Sequence, residues 1–250
     1  MTLELREKLR QIDVPVRVAT SPRAFSRRLV QREAATAFMI DIRTRRGRSR
    51  PVEYVLVYCG SRASVRVLDV DRHHRQALLS IREPGSRLTR RRWDPKTDRI
   101  FEDEILIEAG RRRMLVGMDE SHLFICPLER NASSVREAHR KLAPDGVHHA
   151  RRRLKVRRQG EWFFVPARSR DDRTLLGEAQ DLGRIRQNVG LTAGGRPHFV
   201  QEHMEIDGDV FVRGRVRHPD HKVIVLKDWH RVLRNTEDVT VRPTGMSWVD

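Results

Sequence analysis

The feature that most constrains the fold of this chain is a β-hairpin signal at residues 197–217. An Asp207-Gly208 pair separates two runs in which polar and apolar residues alternate. A two-residue type I′ turn needs positive φ at both positions, which favours this residue pair. Such a turn fixes the register, so we expect Ile206 to face Asp209 and Glu202 to form a cross-strand ion pair with Arg213.

The alternation also assigns the two faces of this hairpin, because successive side chains of a strand point to opposite sides. The face that we expect to be buried carries Phe199, Val210, Val212 and Val216. The face that we expect to form a basic ladder toward solvent carries Arg213, Arg215 and Arg217. A third strand at residues 222–226 is expected to extend this sheet.

Further strands are predicted in the first half of the chain. Apolar runs typical of strands lie at residues 37–42, 52–58, 63–70 and 76–82. Their short spacing favours an antiparallel meander. Residues 84–99 have no periodicity, two prolines and many charges, and are expected to form an exposed loop.

The middle of the chain, residues 133–166, predicts two short helices followed by a ribbon. Ser134 and Glu137 have the spacing of a capping box, which begins a helix. Pro144-Asp145-Gly146 ends that helix, and a second helix with a basic face follows. Gln159-Gly160 then forms a turn before the aromatic run that begins at Trp162.

This order of elements is that of a winged helix-turn-helix, in which the second helix enters the major groove. The alternative is an ordinary helical hairpin packed on a sheet, with its charges on a solvated face. We therefore expect an α+β fold of mostly antiparallel sheets, with a helical hairpin (a winged-helix-like unit) in the middle. The expected domains are a β-rich α+β domain at 1–130, and a domain at 131–250 with the helical hairpin, a β-hairpin and a C-terminal meander.

Charge points to phosphate-bearing partners. The chain has 51 Lys and Arg residues against 34 Asp and Glu residues, a net charge of +17. Such an excess favours nucleic acid, and arginine suits bidentate contacts to phosphate. A GC-rich genome would also raise the arginine content. The arginines expected to contact nucleic acid are Arg151, Arg152, Arg153, Arg157, Arg158, Arg213, Arg215 and Arg217.

Two lone cysteines, Cys59 and Cys126, exclude a CxxC zinc ribbon and a disulfide framework. The N-terminus is charged and has no apolar core, and no run approaches the length of a membrane span. We expect a cytoplasmic protein without a membrane partner.

Histidines near the C-terminus are the strongest catalytic hint, since five of the eleven lie between His198 and His230. His198 and His203 are separated by an odd number of residues, so strand parity places them on opposite faces. The residues of the resulting candidate catalytic site are His203, His218, His221, His230 and Lys222, with Asp220 and Asp228 nearby. Imidazoles and a lysine can catalyse RNA cleavage without a metal.

The same groups could instead bind a divalent transition metal. No zinc signature such as HExxH is present, so we predict no metal site and no cofactor. The alternative for all these histidines is one buried, hydrogen-bonded ring and several on the surface.

Three functions follow from the sequence. The first is a basic protein that binds DNA or RNA, mainly through the phosphate backbone, without catalysis of its own. The second is a histidine-dependent nuclease or endoribonuclease that uses the C-terminal histidines. The third is a structural or assembly subunit of a larger complex, whose basic surface meets an acidic protein.

Overall fold

The computed structural model describes residues 2–25, 38–45, 52–83, 86–94, 99–107, 109–120, 122–128, 131–192 and 196–236. These residues form fifteen β-strands, four α-helices and a 3-10 helix at Pro22–Ala24. The longest helix has twelve residues. The fold is therefore mostly β, and the predicted α+β class with a helical hairpin at its centre is wrong.

The helices are α1 (Thr2–Arg10), α2 (Val135–Leu142), α3 (Asp145–Arg151) and α4 (Arg170–Asp181). The first nine strands are β1 (Val16–Val18), β2 (Phe38–Arg45), β3 (Val52–Cys59), β4 (Ser64–Asp71), β5 (Gln76–Glu83), β6 (Ser86–Asp94), β7 (Arg99–Ile107), β8 (Gly110–Asp119) and β9 (His122–Leu128). The last six are β10 (Arg157–Gln159), β11 (Trp162–Pro166), β12 (Arg186–Leu191), β13 (His198–Ile206), β14 (Asp209–His218) and β15 (His221–Arg234).

The chain divides into two compact units. Apart from the gaps given above, the first contains residues 1–119 and 123–139, and the second contains residues 120–122 and 140–236.

The first unit contains a three-stranded sheet in the order β1-β3-β2, a four-stranded sheet in the order β4-β5-β8-β9, and the two-stranded ribbon β6-β7. One hydrophobic core joins α1 to the two larger sheets. Leu5 and Leu9 lie one helical turn apart on α1 and are almost fully buried in that core. The capping box of α2 is present, since Ser134 Oγ accepts the N–H of Glu137 at 3.1 Å and Glu137 Oε2 accepts the N–H of Ser133 at 2.8 Å.

The predicted loop at residues 84–99 is wrong where the structure describes this stretch, because Ser86–Asp94 forms β6 and pairs with β7 in an antiparallel ribbon; residues 84–85 and 95–98 lie outside the described residues. The register sets Arg90 opposite Asp103 and Arg91 opposite Glu102. The density of charged residues in this stretch therefore does not exclude a strand.

The second unit is built on one antiparallel sheet in the order β10-β11-β15-β14-β13-β12. The predicted turn is confirmed: Ile206 pairs with Asp209, and the φ values of Asp207 and Gly208 are 51° and 82°. The predicted ion pair is also confirmed, with Arg213 Nε 2.5 Å from Glu202 Oε2.

Farther along this hairpin the predicted burial of Phe199 is wrong. The register shifts between Val200 and Glu202, so Phe199 pairs with Arg217 instead of Val216. Gly214 has a φ of 86° at this irregularity, and a Cβ there would lie 2.7 Å from Gln201 Oε1. A β-bulge of this kind changes which residues of the two strands share a face beyond it, so Phe199 lies on the face of Arg217 and not on that of Val216. Val212 and Val216 are fully buried as predicted, whereas Phe199 is 43% exposed.

The winged-helix-like unit is not present either. The predicted hairpin does form, with Gln159 opposite Trp162. However, β11 pairs along its length with β15, so the ribbon belongs to the six-stranded sheet and is not a separate wing. Helix α3 has only seven residues, and its Val147 packs on Phe163 of that sheet.

None of the helices in the described part of the chain is long and apolar enough to cross a membrane.

Candidate functional site

Three histidines meet at one end of the six-stranded sheet. His198 begins β13, His218 ends β14 and His221 begins β15. His218 pairs directly with His221 across the turn, and Phe199 pairs with Arg217 in the next row, which brings His198 beside His218. The ring centroids are 4.2 Å apart for His198 and His218, 4.8 Å for His218 and His221, and 5.4 Å for His198 and His221. We call these three residues the histidine cluster.

Two rings of the histidine cluster are buried and the third, His221, is partly buried. His198 is 0% exposed and His218 is 6% exposed. Burial, with smaller contributions from the neighbouring His218 and His221, lowers the pKa of His198 to about 3. Among the described residues, neither ring nitrogen of His198 has a hydrogen-bond partner, and the same is true of Nε2 of His221. Buried polar atoms without partners are rare and require an explanation.

The turn between β10 and β11 lies against the cluster. Gly160 has a φ of 55°, and a Cβ there would lie 3.1 Å from His221 Nε2 and 3.2 Å from His198 Nε2. Any larger residue would crowd these two nitrogens. Next to it, Gln159 donates a hydrogen bond from Nε2 to the carbonyl oxygen of Lys222 at 2.6 Å, which joins the turn to the start of β15.

Asp220 connects the cluster to charged groups at its margin. Its backbone N–H donates to Nδ1 of His218 at 3.2 Å, and its Oδ2 lies 3.9 Å from the same nitrogen. Its carboxylate lies 3.3 Å from His122 Nε2 and 3.5 Å from Arg196 Nη1. The carboxylate side chain is only 10% exposed, so it lies at the edge of the buried cluster.

The structure brings together only part of the predicted catalytic set. His218 and His221 meet, whereas His203 and His230 lie in another row, each paired with Val212. His203 is five residues from His198 along β13, roughly 16 Å at about 3.3 Å per residue. Lys222 is exposed, and its backbone N–H donates to Glu120 Oε2 at 2.7 Å.

The parity argument that separated His198 from the other histidines is wrong, because it assumes an unbroken register. Val200 pairs with Val216, and His203 pairs with Val212. All three valines belong to one hydrophobic cluster. The register shift between them therefore removes the alternation on which the argument depended. Burial lowers the pKa of both His203 and His230.

A second feature of this sheet is an open face beside the histidine cluster. Val212 and Phe211 are adjacent in β14 but belong to different cores, so both faces of the sheet are packed near the Asp207-Gly208 turn. Toward the other end, one face carries large exposed apolar side chains and arginines. We call this surface the open face; its residues are Phe199, Arg215, Arg217, Val223 and Val225.

Backbone pairing places the residues of the open face on one side. Phe199 pairs with Arg217, and Arg215 pairs with Val225. Arg215 and Arg217 are two residues apart in β14, as are Val223 and Val225 in β15, so each pair shares a face. Val223 and Val225 are 54% and 57% exposed.

The predicted arginines fall into two groups. Arg213 is occupied by its ion pair with Glu202 and lies over the Trp229 ring at 4.8 Å, whereas Arg215 and Arg217 are exposed. Arg217 donates to Asn188 Oδ1 at 3.1 Å, which fixes its position at the edge of the open face.

The other group lies around Phe163. The guanidinium groups of Arg151 and Arg158 lie 5.4 Å and 5.5 Å from the centroid of that ring. Burial lowers the pKa of Arg151, and the nearby charge of Arg158 lowers it further. Arg152 and Arg153 are exposed and Arg157 is half-buried.

Sequence reasoning missed His198 and Gly160 at the histidine cluster and Phe199 on the open face. The signal for His198 and Phe199 was Gly214, since a glycine inside a strand pattern often marks a bulge. Comparison of the chain with protein-family models, with curated proteins and with solved structures gives no match.

Proposed function

We propose that this protein binds single-stranded nucleic acid on the open face of its six-stranded sheet. The observation that carries this proposal is the combination on one surface of an exposed aromatic ring, two exposed valines and two exposed arginines. Single-stranded nucleic acid presents bases that stack on aromatic rings and phosphates that attract cations. The open face offers both kinds of contact within neighbouring strands.

Each residue then has a defined task. Phe199 supplies the ring on which a base stacks, and Val223 and Val225 extend the apolar floor. Arg217 and Arg215 lie beside that floor and bind phosphates, for which their planar guanidinium groups suit bidentate contact. A base in an intact duplex cannot reach such a flat surface, because its faces are stacked on its neighbours.

The net charge of +17 supports the same ligand class. A strongly basic protein gains affinity for nucleic acid through release of counterions, whatever the base sequence. A basic surface alone would serve an acidic protein partner equally well. The exposed ring and valines between the arginines favour unpaired bases instead.

The experiment is a fluorescence anisotropy titration of nuclease-treated protein with labelled single- and double-stranded oligonucleotides. The Arg215→Ala/Arg217→Ala variant should bind the single strand roughly tenfold more weakly than the unmodified protein, because two phosphate contacts are lost. The matched control is Arg173→Ala/Arg184→Ala, which removes two exposed arginines on α4 and just beyond it. This control should bind nearly as well as the unmodified protein.

Two results would overturn the proposal: no salt-sensitive binding of any single strand, or equal losses in the two double variants. A denaturing gel of the same samples should show intact oligonucleotide, since the proposed function is binding. Fragments would favour the histidine-dependent nuclease instead.

A further inference from the structure

The histidine cluster has no task in binding nucleic acid through the open face, and its chemistry is of a different kind. Three imidazoles each offer one nitrogen, and these three nitrogens lie within 4.8 Å of one another. They come from three consecutive strands and are held by backbone pairing, so the grouping does not depend on a loop. We propose that His198, His218 and His221 bind one transition-metal ion, with Zn²⁺ as the principal candidate.

Unpartnered lone pairs at the cluster are the first support. Both ring nitrogens of His198 and Nε2 of His221 are buried without a hydrogen-bond partner in the described part of the chain. A neutral imidazole that finds no donor still has a lone pair that a metal can accept. Imidazole is the nitrogen ligand that suits Zn²⁺, Cu²⁺ and Ni²⁺.

Burial favours a metal ion over an anion as the ligand of this cluster. An anion would need cationic rings, and a buried charge is costly unless it is paired, whereas His198 and His218 are 0% and 6% exposed. Metal ions bind the neutral form of the imidazole ring. Three protein nitrogens are also the complement that zinc combines with a fourth ligand from solvent in many sites.

Asp220 lies where its carboxylate can stabilise His218 when that ring binds a metal ion. A histidine that ligates a metal through one nitrogen usually donates its other N–H to a carboxylate or carbonyl. Oδ2 of Asp220 lies 3.9 Å from Nδ1 of His218, close enough to accept that proton after a small movement. In the present arrangement Nδ1 instead accepts the N–H of Asp220, so metal binding through Nε2 exchanges one hydrogen bond for another.

Binding also requires the rings to move closer. Zn–N bonds of about 2.0–2.1 Å hold the donors of a tetrahedral ion roughly 3.4 Å apart, whereas the three nitrogens now lie within 4.8 Å of one another. The rings of His198 and His218 are nearly parallel, with 19° between their planes, and must tilt toward a common point. Gly160 leaves the room for this rotation beside the Nε2 atoms of His198 and His221.

The test measures metal binding by the full chain after treatment with a chelator. Zn²⁺ is titrated in competition with a chromophoric chelator, and Co²⁺ is followed by its visible absorption. We expect one ion per chain, a rise in melting temperature with Zn²⁺, and a tetrahedral Co²⁺ spectrum. His221→Gln should lower the affinity at least 100-fold, and Asp220→Asn should lower it about 10- to 100-fold through loss of the supporting carboxylate.

The matched control is His203→Gln, because His203 is a buried histidine of the same sheet that lies in another row. It should retain the affinity and the Co²⁺ spectrum of the unmodified protein. His221 is only partly buried, so its variant tests the site even if a substitution at His198 fails to fold. Absence of saturable Zn²⁺ and Co²⁺ binding would overturn the proposal, as would equal affinity in His221→Gln and the unmodified protein.

Discussion

Among single residues, Gly160 is restricted both by its backbone conformation and by the rings beside it. Its φ of 55° lies in the left-handed region, and a Cβ would meet two imidazole nitrogens at 3.1 and 3.2 Å. A non-glycine residue in that conformation costs about 1–2 kcal/mol. The crowding against buried rings adds to this cost, because those rings are held in paired strands.

We therefore expect Gly160→Ala to lower the free energy of unfolding by roughly 2–3 kcal/mol. Gly208→Ala provides the control, since Gly208 has a φ of 82° but no atom within 4 Å of the added Cβ. In that variant the free energy of unfolding should fall only by the cost of the left-handed backbone, about 1–2 kcal/mol. Urea unfolding followed by circular dichroism compares the two variants. Equal losses would mean that a methyl group at position 160 does not crowd the histidines.

A second prediction at this scale concerns pH. Burial is the main cause that lowers the pKa of His203 in the folded protein. The unfolded chain then binds more protons than the folded one below a pH of about 6.5. The stability that comes from the neutral ring is complete above this pH and is lost as the pH falls toward the folded pKa.

The urea midpoint of metal-free protein should accordingly fall between pH 7 and pH 5, and His203→Gln should weaken that dependence. His149→Gln, at an exposed histidine of α3, should leave the dependence unchanged. An unaltered pH dependence in His203→Gln would contradict the assignment of a buried, neutral ring.

Among the elements, β13 decides what the open face presents. The register shift places Phe199 opposite Arg217 on the exposed side. Stacking of a base on an aromatic ring contributes about 1–3 kcal/mol. Phe199→Ala should thus weaken single-strand binding roughly 5- to 150-fold.

Phe199→Tyr keeps the ring and should bind almost as well as the unmodified protein. Because Phe199 is 43% exposed, truncation should affect the fold little, which a melting curve can verify. Anisotropy at one fixed salt concentration measures the affinity of the three proteins for the single strand. Equal affinity in Phe199→Ala and the unmodified protein would mean that the Phe199 ring does not contact the nucleic acid.

The same strand illustrates how far the sequence predicts the fold. The Asp207-Gly208 turn and the pairing of Glu202 with Arg213 follow from local chemistry and are confirmed. Beyond Gln201 the pairing slips by one residue, and with it fail the expected burial of Phe199 and the expected separation of His198 from the other histidines. Because a one-residue slip changes which side chains of neighbouring strands share a face, an error in the predicted register becomes an error in the predicted site.

Longer-range pairing limited the other predictions. The ribbon at Gln159-Gly160 was predicted as a local hairpin, but its partner β15 lies about seventy residues later and joins it to a six-stranded sheet. A sequence pattern reports local periodicity and carries little information about distant partners. The grouping of His198 with His218 and His221 depends on such pairing, and this is why only two of the three were expected together.

At the scale of the whole molecule, the two proposed sites, the open face and the histidine cluster, both belong to the six-stranded sheet of the second unit. The open face is exposed and basic, whereas two of the three rings of the histidine cluster are buried. Salt should strongly weaken binding of nucleic acid at the open face, because the cations of the salt compete with the surface arginines for the phosphates. Metal affinity at the second should depend little on salt, because a metal ion binds the uncharged form of an imidazole ring.

The most direct test of the proposed function is the slope of log K against log salt concentration for binding of a single-stranded oligonucleotide. Each phosphate contact contributes about 0.7 to this slope for single strands. The Arg215→Ala/Arg217→Ala variant should reduce its magnitude by about 1.4, whereas Arg173→Ala/Arg184→Ala should leave it unchanged. A slope that is the same in all three proteins, or an affinity that does not depend on salt, would contradict binding at the open face.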